Sequence, residues 1–113
     1  VQVKMKVTGT PRSLTSSAET ALLRISHEAM HNIHKHAQAK KVNITFSYME
    51  DLFVMDIADD GLGFEPSKIK NGFGMKTMRD RAEELSGTLT IESEQGIGTA
   101  IAVSIPISEE NDA

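Results

Sequence analysis

Short segments in which every second residue is apolar leave a chain few ways to fold. Val42, Ile44 and Phe46 alternate with polar residues, and Phe53, Met55 and Ile57 do the same after a turn at Glu50-Asp51. Alternation at period two sets one side of a strand against a core and leaves the other in water. The two segments read as an antiparallel hairpin. The same period marks a half-buried strand at Val1, Val3, Met5 and Val7, another at Leu89 and Ile91, and a last one at Ile101, Val103 and Ile105 before Pro106. Five such strands need helices over one face only. Ser16 followed by Glu19 has capping-box spacing, and a helical pattern runs from there to about Ala39, with Leu22, Ile25, Ala29 and Ile33 as its apolar stripe. Met75, Met78, Ala82 and Leu85 give a second stripe, stopped by Gly87. The expected fold is a two-layer α/β sandwich, with a mixed, largely antiparallel sheet and helices on one face.

The 113 residues argue for one domain spanning 1–113, with room for a real core. Apolar residues make up 39% and charged residues 25%, a globular rather than a disordered composition. The net charge of −4 argues against direct contact with nucleic acid. No apolar run reaches bilayer length and no signal peptide is visible, so no membrane contact is expected of this domain. The absence of cysteine removes disulfides, thiolate zinc sites and a cysteine nucleophile, and fits a reducing cytoplasm. Because the chain opens on Val1, it is read as excised from something longer.

Three stretches are too specific for a bland core. Glu28 and Asn32 stand four apart on a helix and project from one face. They fit either a solvated polar face or a pair facing a hydrated cation or phosphate-bound metal. Asp59-Asp60-Gly61-Leu62-Gly63 ends a strand, and parity with Phe53, Met55 and Ile57 points Asp59 toward the core layer and Asp60 away. A buried carboxylate is costly unless hydrogen-bonded, and the two glycines allow close approach by a ligand; an ordinary Asp-Gly turn explains the same residues. Asn71-Gly72-Phe73-Gly74-Met75 opens a helix, which makes an anion site or simply a helix start. Gly96-x-Gly98-Thr99 fits a hairpin turn. All four histidines lie between His27 and His36, and His27, His31 and His34 share a helix face compatible with metal ligation, although no carboxylate or thiolate completes it.

The order of these stretches resembles the ATP-binding catalytic domain of bacterial sensor histidine kinases, whose Bergerat fold is shared with the gyrase B, Hsp90 and MutL ATPases. RISHEAMHNIHKHAQA resembles the family's N box, DIADDGLGF its first glycine box, and NGFGMKTMRDRAEELSGTLTIESEQGIGTAIAVSIP its second and last glycine boxes. The form is most similar to kinases paired with helix-turn-helix response regulators of the nitrate-response type. The resemblance implies that Asn32 gives an oxygen to Mg²⁺ held between ATP phosphates. It places Glu28 where a nucleophile is polarised or the metal shell supported, and Lys35 and His36 in the N box, with Lys35 near the phosphates. Asp59 would accept a hydrogen bond from the adenine amine, with Gly61 and Gly63 letting the base approach. Gly72 and Gly74 would hinge a lid over Glu65 to Asn71, and Thr99 would sit beside the adenine end. Phe64, Phe73 and Met75, inside the same boxes, complete the nucleotide-binding set.

The implied activity is donation of the ATP γ-phosphoryl group to a histidine on a separate helical dimerisation and phosphoacceptor domain. Relay to the receiver domain of a response regulator would follow. None of the four histidines has the phosphoacceptor context, so the isolated domain is expected to bind Mg-ATP without autophosphorylating. A cytoplasmic domain is implied, with membrane anchoring of the full-length kinase left open. Two other functions share the fold: an anti-sigma-factor-type serine kinase, and a non-catalytic module in which ATP orders the lid and changes partner docking.

Overall fold

The computed structural model describes residues 2–34, 38–63 and 75–107. In chain order these form β1 (Gln2–Thr8), α1 (Ser16–Asn32), β2 (Lys41–Tyr48), β3 (Leu52–Asp59), α2 (Met75–Glu84), β4 (Thr88–Glu94) and β5 (Gly98–Pro106). The sheet order is β1-β2-β3-β5-β4. Only β1 and β2 pair in parallel, and α1 supplies the crossover that such a pair needs. The hairpin expected at Glu50-Asp51 is present, with Met49 N–H donating to Leu52 O at 2.8 Å. The inward residues are those the alternation names. Val42, Phe53, Met55, Ile57, Leu89, Ile101, Val103 and Ile105 share one core cluster with Leu22, Ile25 and Ala29 of α1, with Ile33 just beyond it, and with Met75, Met78 and Ala82 of α2. This is the two-layer sandwich expected, with mostly antiparallel strands and both helices on one face.

Four local readings need correction. Thr15, not Ser16, caps α1: its hydroxyl accepts from Ala18 N–H at 3.1 Å, and Ser16 is the first helical residue. The cap therefore lies one position too early for Glu19 to close a capping box. Secondly, α1 does not run to Ala39. It ends at Asn32, where Ile33 N–H is shared between the carbonyls of Ala29 and Met30 and the chain widens into a π-type turn. Gln38, at φ 51°, is left-handed and incompatible with a continuing helix.

Thirdly, the left-handed residue that stops α2 is Ser86 (φ 60°), not Gly87. Ser86 and Gly87 N–H groups donate to Glu83 and Ala82 carbonyls at 2.9 Å each. Gly87 is needed for space, because a Cβ there would stand 2.3 Å from Ser104 O. Fourthly, β1 is not half-buried. Its apolar residues Val3, Met5 and Val7 are 44%, 66% and 52% exposed, since β1 is an edge strand and neither described helix covers it.

Phe53, 2% exposed, sits at the middle of this packing, whereas Leu23 on the outer face of α1 is 57% exposed. Phe53→Ala is expected to lower the unfolding free energy by about 3–5 kcal/mol. Leu23→Ala should change it by less than about 0.5 kcal/mol. Urea unfolding of the two variants compares them directly, and equal losses would contradict this assignment of the core.

Candidate functional site

Strand β3 places Asp59 on the inner face, as its parity with Phe53, Met55 and Ile57 requires, and half-buries it. Its neighbours in the sheet are Val42 on one side and Thr99 on the other. The carboxylate accepts the Gly61 N–H at 2.8 Å. Burial pushes its pKa above the ordinary carboxylate value; the N–H groups of Gly61 and Thr99 pull it back in part, and the charge of Asp60 adds to the rise. A carboxylate offers about four lone-pair sites, so these two N–H groups leave acceptor capacity for a ligand.

The glycines around Asp59 are required by close contacts. Gly63 has φ 67°, and a Cβ on it would stand 2.1 Å from Glu94 O. Gly98 has φ 143°, and its Cβ would stand 2.0 Å from the Asp59 carbonyl oxygen. Gly96 (φ 82°) turns the β4–β5 hairpin, and its N–H donates to Leu62 O at 2.6 Å. The last glycine pair is thus more than a turn: it seats the hairpin against the Asp59–Gly63 segment. Ser93 escaped the sequence reading. Its hydroxyl lies 2.8 Å from the Thr99 hydroxyl and donates to Gly98 O at 3.3 Å. Parity with Leu89 and Ile91 is the signal that puts it on the inner face.

Asp59, Gly61, Gly63 and Thr99 therefore form one contiguous group. Asn32 is 8% exposed, the one buried polar residue among those described, and lies at the last residue of α1 with half-buried Glu28 one turn earlier. Met75, at the start of α2, is 5% exposed and packs in the core. Lys35, His36, Phe64, Gly72, Phe73, Gly74 and the Glu65–Asn71 segment lie outside the described residues.

The histidine face gains no support. His27, His31 and His34 are exposed, and no group of three potential ligands gathers among the described residues. A groove of about 460 Å³ between α1 and the β1–β2 edge is mainly apolar and contains none of the expected site residues. Among the described residues no helix is long and apolar enough to cross a membrane.

Comparison with known proteins matches residues 17–109 to the family described as histidine kinase-, DNA gyrase B-, and HSP90-like ATPase. The signal transduction histidine-protein kinase/phosphatase DegS of Bacillus subtilis is 33% identical over 99 residues, covering 84% of this chain and 26% of DegS. UhpB of Salmonella typhimurium, another histidine-protein kinase/phosphatase, is 37% identical over 94 residues, covering 83% of this chain and 18% of that protein. The sensor histidine kinase LiaS of Bacillus subtilis is 31% identical over 99 residues, covering 87% and 28%. The chain thus spans about a quarter or less of these relatives. The histidine kinase domain of a blue-light activated histidine kinase from Erythrobacter litoralis superposes with a TM-score of 0.78 at 20% identity, covering 96% of this chain and 54% of that one. Acinetobacter baumannii histidine kinase AdeS gives 0.76 at 16% identity, covering 93% and 53%. At those identities the likeness shows the fold.

The raised Asp59 pKa has a consequence for stability. Folding favours the protonated carboxyl, so the wild type loses stability as pH rises through the folded-state pKa. Asp59→Asn removes that ionisation while keeping an acceptor oxygen. Its urea midpoint relative to wild type is expected to rise between about pH 3 and pH 7. A difference that stays constant, or falls, would show that burial of Asp59 does not oppose its charge.

Proposed function

This chain belongs to the histidine kinase-, DNA gyrase B-, and HSP90-like ATPase family, and from that premise we propose that it is the ATP-binding catalytic domain of a sensor histidine kinase. The observation that carries the reading is Asp59: a half-buried carboxylate on the inner face of a central strand, steadied by two main-chain N–H groups. Such a group accepts hydrogen bonds from a ligand and repels its lone pairs. The exocyclic amine of adenine meets it as a donor, whereas guanine would present a carbonyl oxygen. A hydrogen bond to a charged acceptor contributes about 1.5–3 kcal/mol net, enough to select the base. Gly61 and Gly63 bring no side chain into the approach, and Thr99 lies directly beside Asp59 in the sheet.

The phosphate side is assigned to the end of α1. Mg²⁺ takes hard oxygen ligands and keeps several waters, and it would supply charge neutralisation at the phosphates. The Asn32 amide oxygen fits as its single protein ligand, with Glu28 one turn earlier to support the shell or to polarise the acceptor nucleophile. Lys35 and His36 are assigned to the same side on the N-box resemblance alone, and Phe64, Gly72, Phe73 and Gly74 to the nucleotide lid on the same basis. Met75, although buried, would support that lid from the start of α2.

In this reading the γ-phosphoryl group passes in line to a histidine on a separate helical dimerisation domain and then to a response-regulator receiver. Positioning and charge provide most of the catalysis, as in phosphoryl transfer generally. The domain would act in the cytoplasm, within kinases that pair with helix-turn-helix regulators of the nitrate-response type. Without the helical domain it would bind nucleotide but not autophosphorylate.

Mixing the chain with that helical domain and Mg-ATP should yield phosphohistidine. Asn32→Ala should slow the transfer by at least about tenfold while leaving adenosine affinity within about twofold. A helical domain that stays unphosphorylated with the wild-type chain would sink the kinase reading. An Asn32→Ala variant of normal rate would remove Asn32 from the metal shell.

A further inference from the structure

Asp59, Thr99 and Ser93 form one row across three neighbouring strands. Thr99 of β5 is paired with Asp59 of β3 on one side and with Ser93 of β4 on the other. All three are half-buried, and all three border one cavity of about 290 Å³ at this end of the sheet. The Ser93 Oγ lies 2.8 Å from the Thr99 Oγ1, and it also donates to Gly98 O at 3.3 Å. A carbonyl oxygen only accepts, and a hydroxyl has one proton to give. With the Ser93 proton on Gly98 O, the shorter contact is made by the Thr99 O–H donating to Ser93. Once that proton is committed, the Thr99 Oγ1 has only lone pairs left for a ligand.

We propose that Ser93 is a positioning residue for base selection, which takes the Thr99 hydroxyl proton and so makes Thr99 a second acceptor beside Asp59. The proposal rests on the nucleotide reading above. Two adjacent acceptors favour a ligand edge that carries donors, as the amine of adenine does, and repel a carbonyl oxygen in the same place. Without Ser93 the Thr99 hydroxyl is free to turn over and give its proton to such an oxygen. Ser93 therefore acts on the choice between purines through Thr99 and need not touch the base. The main-chain N–H of Thr99 also serves the Asp59 carboxylate, so one residue links the two acceptors.

The discriminating probe is inosine triphosphate, which carries a carbonyl oxygen where ATP carries the amine. The wild-type chain should prefer Mg-ATP to the inosine nucleotide. Ser93→Ala is expected to narrow that preference by about fivefold, the scale of one neutral hydrogen bond, through a gain for inosine triphosphate as well as a loss for ATP. Ser93→Thr keeps the hydroxyl and should hold the ratio near that of wild type. A side chain that merely supports the β4–β5 hairpin would weaken both nucleotides alike and leave the ratio unchanged. Thr99→Val removes the second hydroxyl at similar shape. In that background adding Ser93→Ala should move the ratio no further, because the two hydroxyls act as one unit. An unchanged ratio in Ser93→Ala, an equal narrowing in Ser93→Thr, or a full Ser93→Ala effect in the Thr99→Val background would each overturn the assignment. A wild-type chain that binds the two nucleotides equally would instead remove the nucleotide reading, and this proposal with it.

Discussion

A carboxylate on the buried side of a central strand must be given partners, and that requirement organises one end of this molecule. Asp59 is half-buried where β3 meets β2 and β5. Main-chain N–H groups of Gly61 and Thr99 offset part of the cost of its burial without neutralising it. An arginine or lysine there would have quenched the group, whereas N–H donors leave it able to accept from a ligand. The glycines follow from the same demand. Gly98 brings β5 against the Asp59 backbone, and Gly63 brings the β4–β5 hairpin against the segment that supplies Gly61. Replacing either hydrogen by a methyl group would push apart the elements that hold the carboxylate.

The rest of the fold is a support for that strand end. The stripe of α1 packs on the sheet through Leu22, Ile25 and Ala29, continued by the cap residue Ile33, and its last helical residue, Asn32, is buried rather than solvated. A π-type turn immediately afterwards releases the chain from the helix. Asp60 ties the main chain of Lys40 and Lys41, at the entry to β2, to the strand end that carries Asp59. Asp59 and Asn32 thus stand on separate elements, β3 and α1, of one two-layer frame.

Much of this was legible in the residues themselves. Period-two alternation located all five strands, and the parity of Asp59 with Phe53, Met55 and Ile57 gave the direction of its side chain. Properties set by neighbours in space were less visible. The exposure of Val3, Met5 and Val7 depends on which strands the helices cover, and alternation along one strand carries no information about that. The end of α1 was overestimated because the helical periodicity continues past the residue at which the main chain turns. Ser93 and Asp60 were missed as partners because each acts on residues remote in sequence, through a hydroxyl pair in one case and through main-chain N–H groups in the other. Ordinary turn residues gave no hint that Gly63 and Gly98 are fixed by contacts closer than a Cβ allows.

The central claim is that one acceptor, Asp59, chooses the base. Calorimetric titration of the wild-type chain with ATP and with GTP, in the same Mg²⁺-containing buffer, tests it most directly. ATP should bind on the order of 10–100-fold more tightly than GTP, the range set by one hydrogen bond to a charged acceptor. Equal affinity for the two nucleotides would contradict the account, because no acceptor in the site would then be reading the adenine amine.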